Sequence, residues 1–256
     1  MFSLKDKFKF LDDGIDFPFY NDVPKLSTAD WSIVLISVIL VIITISLFSS
    51  HHTLKSVMIF LVTIIPALYI CKRNYGLFFK RIRLKDIKTI ILSFLGYILY
   101  VMLIATPILA LMHYPLAGNG ILPIAEQLSP TFIVTIFLQL MGEEFLKIFL
   151  LLLIMYAIYK STGNRDISLF IGIVGSLFVF GMAHYSAYSG RIFQILLIQR
   201  LGSIFNLYAY MKTKNVFVSY VILDDRFFRF YSIGDSSWSS LIYSVGATAS
   251  ASLSIS

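Results

Sequence analysis

The sequence predicts an all-α fold, a polytopic transmembrane helical bundle of about seven to eight helices. Of the 256 residues, 58% are hydrophobic and only 14% are charged, whereas a soluble domain carries about 25% charged residues. The apolar residues come in blocks of roughly 20, the length that crosses ~30 Å of hydrocarbon at 1.5 Å per residue. These blocks are too long for barrel strands and lack their alternation, which leaves helices as the spanning element.

Residues 1–30 read as a cytoplasmic N-terminal segment of mixed charge, in which Pro18 and Pro24 interrupt any long helix. Within it Lys5, Lys7 and Lys9, with Phe2, Phe8 and Phe10, form either a short amphipathic turn on the membrane surface or part of a loose tail. Residues 31–130 form an N-terminal transmembrane scaffold with spans at 31–49, 54–70 and 89–112, followed by a loop rich in turn residues (Pro115, Gly118, Gly120, Pro123). Residues 131–230 form the membrane core, with spans at 131–159, 167–188 and 192–211 and a seventh starting at Val216. Residues 231–256 are a C-terminal tail that holds at most a weak last helix.

The net charge of +7 is concentrated at the ends of these spans rather than spread as on a nucleic-acid-binding surface. Lys72, Arg73, Lys80, Arg81, Arg83, Lys85 and Lys88 follow the second span, Lys160 and Arg165 flank the turn after the fourth, and Lys212 and Lys214 follow the sixth. Counting crossings puts all three clusters and the N-terminus on one side, the cytoplasmic one by the positive-inside rule. There they meet anionic lipid. The first apolar block spans and lacks a cleavage pattern, so no cleavable signal peptide is expected. A lone cysteine, Cys71, excludes an internal disulfide and a cysteine metal cluster, and stands at a membrane edge where acylation is feasible. No metal and no cofactor are expected.

The first three spans carry no ionisable residue away from their edges, whereas the later ones carry Glu143, Glu144, Lys147, His184, Arg200, Asp224, Asp225 and Arg226. Each such charge costs ~2.5–3.5 kcal/mol to insert even on lenient scales, which marks a functional site in the back half of the chain. The fourth and fifth spans are joined by a short turn and are antiparallel neighbours, so Glu143 and His184 can share one depth. Lys147 stands four residues after Glu143 and three after Glu144, within reach of either carboxylate. Arg200 is expected as a counter-ion to one of them. Asp224, Asp225 and Arg226 mark either part of the site or the end of a short span. Tyr185 and Tyr188 fit an interfacial aromatic belt.

At these residues the chain resembles the CAAX-protease and bacteriocin-processing (Abi) family of intramembrane proteins. The first motif of that family, a Glu-Glu pair followed by a basic residue, reads Gly142-Glu143-Glu144-Phe145-Leu146-Lys147. The second, Phe-x-x-x-His, reads Phe180-Gly181-Met182-Ala183-His184, and the Tyr-x-x-x-Thr turn before the last helix falls in Tyr208–Asn215. The family's basic residue usually stands one position later, at Ile148, and Arg200 is the other guanidinium or ammonium source. The third motif, His-x-x-x-Asn or His-x-x-x-Asp, would put its histidine at Leu223, with Asp224 or Asp225 as the final residue; no histidine follows His184.

The resemblance implies a glutamate-type endopeptidase in which Glu143 is the general base, His184 its partner, and Glu144 orients the site through the basic residue. It implies a peptide or membrane-protein substrate, and a place in the cell membrane of a Gram-positive bacterium, in bacteriocin processing or self-immunity. The missing histidine supports a different class, a pseudoprotease that binds a partner membrane protein without cutting it. A proton-coupled carrier using Glu143, Glu144 and His184 as a relay is a third class, and the lack of internal repeats argues against it.

Overall fold

The computed structural model describes residues 8–11, 14–48, 51–112, 129–185 and 189–222. Among the described residues the regular structure is entirely helical. Seven elements follow in chain order: α1 (Thr28–Leu47), α2 (His52–Ile70), α3 (Leu84–Leu111), α4 (Pro130–Thr162), α5 (Arg165–Ala183), α6 (Ile192–Thr213) and the short α7 (Val216–Ile222). Five of them, with α1 counted over Thr28–Ile45, are long and apolar enough to cross a membrane: α1, α2, α3, α5 and α6. Their outward faces are apolar. On α3 alone Ile91, Leu92, Leu95, Leu99, Met102 and Leu103 are exposed. In water that surface would cost about 25 cal/mol per Å², so the chain is a membrane protein with hydrocarbon around it.

The helix starts follow local chemistry. Ser27 Oγ accepts from Asp30 N (3.1 Å) while Asp30 accepts from Ser27 N (2.8 Å), closing a capping box on α1. Asp86 accepts from Arg83 N (2.8 Å) in the same way, which starts α3 at Leu84, five residues before the expected span and inside the basic stretch. Ser129 Oγ accepts from Phe132 N (3.2 Å), and Pro130 occupies the first turn of α4, where a missing N–H costs nothing. At the other end Gly163, at φ 62°, closes α4, and Asn164 caps α5.

Helix α4 stands at the centre, against α1, α2, α5 and α7; α3 packs on α6 and α7. Close approach is secured by glycine. A Cβ on Gly142 would lie 2.7 Å from Ile59 Cγ2 on α2, and one on Gly172 would lie 2.8 Å from Met155 Cγ across the α4–α5 pair. Two helices contain a π-type turn, Val101–Ala105 in α3 and Ile195–Leu201 in α6. The first widens the helix just before Pro107, whose ring would clash with the carbonyl four residues back. In the second, Tyr100 donates to Leu197 O (2.7 Å), taking up a carbonyl of the widened turn.

The described part of the N-terminal segment packs against the helices rather than forming a loose tail. Leu11, Phe17, Phe19, Tyr20 and Leu26 are buried with the core. Phe19 lies against Phe78 (ring centroids 5.9 Å) and Tyr20 edge-on against Tyr159 (5.0 Å). The segment also collects the basic turns. Asp16 pairs with Arg165 (3.1 Å), Asp22 with Lys160 (2.6 Å) and Asp30 with Lys72 (2.7 Å). Lys212 donates to Phe10 O (2.6 Å), and Asn215 bonds Lys80 O (2.9 Å). All three basic loops therefore converge on one end of the bundle, the arrangement the crossing count demands. Residues 2, 5 and 7 of the expected turn lie outside the described residues.

Candidate functional site

The α4–α5 hairpin sets the register of the site. Glu143 lies as many residues before the end of α4 as His184 lies after the start of α5. Both therefore stand roughly 28 Å from the basic end at 1.5 Å per residue. The fifth span was expected to reach residue 188, but α5 ends at Ala183 and His184 is its C-cap residue. The histidine thus sits at a helix end rather than inside a helix.

Glu143 and His184 meet. Glu143 Oε2 is 3.8 Å from His184 Nε2, and the side chains are 4% and 11% exposed, so the pair is shielded but reachable from the histidine side. The other ring nitrogen, Nδ1, lies 2.9 Å from Phe180 O. A carbonyl only accepts, so Nδ1 carries the proton there, and in the neutral ring Nε2 is a bare lone pair aimed at the carboxylate. Two acceptors face each other. They are compatible with one shared proton, or with a water that donates to both. The Phe180 ring lies tilted at 59° against the imidazole (centroids 4.7 Å).

Glu144 lies one residue on and is bound quite differently. Lys147 Nζ donates to its Oε1 and Ser219 Oγ, from α7, donates to its Oε2. All three residues are buried. Ser219 Oγ also lies 2.9 Å from Asn206 O on α6, so this carboxylate ties α4, α6 and α7 together. The ammonium of Lys147 further sits 4.9 Å from the Phe180 ring centroid, a cation–π contact that links the two halves of the site.

Arg200 does not act as a counter-ion to any described carboxylate. Its guanidinium lies 4.5 Å from the Phe178 ring centroid, and its side-chain stem covers Gly181, whose added Cβ would be 3.2 Å from Arg200 Cβ. Arg200 lies within the π-type turn of α6 and packs along α5. Leu223, Asp224, Asp225 and Arg226 lie outside the described residues. Tyr185 is 47% exposed beyond His184, in keeping with an interfacial position. Cys71, whose place at a membrane edge makes acylation feasible, is buried at 2% exposure, which disfavours that modification; burial pushes its thiol up to about 11.

Sequence reasoning missed three further side chains, Gln139, Ser56 and Ser219. Gln139 Nε2 donates to Glu143 Oε1 (2.8 Å), and Ser56 Oγ, on α2, lies 3.1 Å from Gln139 Oε1. Gln139 stands four residues before Glu143, so its place on the same helix face was available from spacing alone. Ser219 is a single small polar residue in an apolar run, and its spacing carries no such signal. Among the described residues no three His, Cys, Asp or Glu side chains gather as metal ligands.

No family model matches the sequence, and no curated protein and no solved structure matches the chain.

Proposed function

We propose that the chain is a multi-pass protein of the cell membrane, with about seven to eight helices, that hydrolyses peptide bonds in peptide or membrane-protein substrates. The reading rests on the motif resemblance, and the observation that carries it is the Glu143–His184 pair with Nδ1 committed to Phe180 O. A water held between Glu143 Oε2 and His184 Nε2 loses a proton to the pair as its oxygen attacks the carbonyl carbon. The same proton then passes to the leaving amine as the C–N bond breaks. Glu144, neutralised by Lys147 and Ser219, takes no part in the proton transfer and holds α4 in place. Processing of a bacteriocin precursor, or self-immunity, in a Gram-positive bacterium is the setting the resemblance supplies.

A second reading keeps the fold and discards the chemistry: a pseudoprotease that binds a partner membrane protein. The absence of any histidine after His184 favours it. One experiment separates the two. Membranes carrying wild type, Glu143→Ala or His184→Ala are incubated with a panel of precursor peptides, and fragments are followed by mass spectrometry. Hydrolysis by the wild type that falls to background in both variants supports the peptidase. If no wild-type cleavage is seen, or Glu143→Ala cuts as well as wild type while properly inserted, the binding reading stands instead.

A further inference from the structure

Peptide hydrolysis needs more than an activated water. The carbonyl oxygen becomes an oxyanion, and a fixed N–H or O–H donor at that point typically contributes 10²–10³-fold in rate. Lys147 is committed to Glu144. His184 has one ring nitrogen on Phe180 O and the other on Glu143. Among the described residues, the side-chain amide of Gln139 is a further hydrogen-bond donor beside the pair.

The orientation of that amide is decided by its partners. A carboxylate only accepts, so the atom 2.8 Å from Glu143 Oε1 is the nitrogen, and the oxygen faces the Ser56 hydroxyl at 3.1 Å. An amide nitrogen carries two hydrogens. One is given to Glu143, and the second meets no acceptor among the described residues. The nitrogen binds Oε1 of the same carboxylate whose Oε2 faces His184, so it stands one carboxylate's width from the place where the water is held. A carbonyl carbon poised for attack must come within about 3–3.5 Å of that water. Gln139, like His184, is only partly buried.

We propose that Gln139 is a catalytic residue of this site, its free amide N–H binding the carbonyl oxygen of the scissile peptide as it becomes an oxyanion. The assignment rests on the peptidase reading above. Water supplies the oxygen of the new C–O bond, and its proton travels through Glu143 and His184 to the leaving nitrogen. Gln139 donates a hydrogen bond throughout and exchanges no proton, so the step balances with peptide and water alone.

The test uses the full-length protein in membranes and a peptide that the wild type cleaves. Gln139→Ala is expected to lower kcat about 10²–10³-fold, with KM changed by no more than about twofold. A phosphinate analogue of the same peptide, which mimics the tetrahedral intermediate, should lose affinity by the same factor as kcat. Gln139→Glu keeps the size and removes the N–H, and should match the alanine variant; Gln139→His restores a donor and should recover part of the rate. This second pair carries the test if the alanine variant inserts poorly. Unchanged kcat in Gln139→Ala and Gln139→Glu overturns the assignment while leaving the peptidase reading intact. So does a fall in kcat with no loss of analogue affinity, the signature of a residue that only positions Glu143. Wild-type membranes that cleave no substrate overturn the peptidase reading, and the assignment with it.

Discussion

Glu143 and Glu144 are consecutive in the chain but belong to two regions built on opposite plans. The region around Glu144, at the junction of α4, α6 and α7, is closed: an ammonium and a hydroxyl occupy its two oxygens, and every member is buried. The region around Glu143, between α4 and α5, joins different groups: an amide donates to one oxygen, while the other faces an imidazole at 3.8 Å. A buried charge that is paired and hydrogen-bonded fixes the packing of the helices around it. A carboxylate set against an imidazole is placed to exchange a proton. Neighbouring residues on a helix point about 100° apart, and this angular step sends the two carboxylates to different partners across one peptide bond.

The largest expected effect comes from breaking the closed side. Lys147→Ala leaves the Glu144 carboxylate buried without its cation, and the loss should be about 3–5 kcal/mol of stability. Unfolding in mixed micelles would measure it. The control is Glu143→Gln, which should shift the same transition by only about 1 kcal/mol while removing cleavage. Equal destabilisation by the two variants would erase the distinction between the regions.

Ser219→Ala sharpens the comparison. It removes one hydrogen bond to a charged group but leaves the Lys147 pair, so about 1.5–3 kcal/mol is expected. Cleavage, corrected for the amount of folded protein, should hold. A loss of turnover in well-folded Ser219→Ala protein would show that the closed region takes part in the chemistry.

The smallest effect is predicted at the opposite end of the bundle, where the N-terminal segment covers the basic turns. The Asp16–Arg165 pair is partly exposed, and Asp16→Ala should cost at most about 1 kcal/mol. Its readout is the thiol of Cys71. That thiol is buried and held at about 11, so at neutral pH little thiolate is present, and maleimide should label it slowly until the protein is denatured. Asp16→Ala should quicken labelling only slightly and leave cleavage unchanged. Prompt labelling of the wild type would show that the segment does not seal this end.

The membrane class, the helical fold and the position of α4 through α6 were legible because each depends on runs of many residues. The α3 start was misplaced because a capping pair, Arg83 and Asp86, outweighs the polar look of the basic stretch. The N-terminal segment looked free because its apolar residues (Phe17, Phe19, Tyr20 and Leu26) follow no helical or strand period; they are spaced to fit the ends of other helices. Arg200 was expected as a counter-ion to a carboxylate, but it lies within the π-type turn at Ile195–Leu201, where straight-helix spacing does not give a side chain's direction, and it meets the Phe178 ring instead.

By itself the sequence determined that the chain belongs in a bilayer, that its basic loops share one face, and that the charged residues away from the span edges fall in the later spans. Those properties follow from transfer free energies and from a fixed rise per residue, which act on each segment whatever its neighbours. Only the tertiary structure decided the partners: Ser219 and Lys147 on Glu144, Gln139 and His184 on Glu143, and Arg200 on an aromatic ring instead of an acid. Pairing of that kind depends on the rotation and depth of each helix against the next. These are set by close contacts such as Gly142 against Ile59, a matter of ångströms that composition and spacing do not encode.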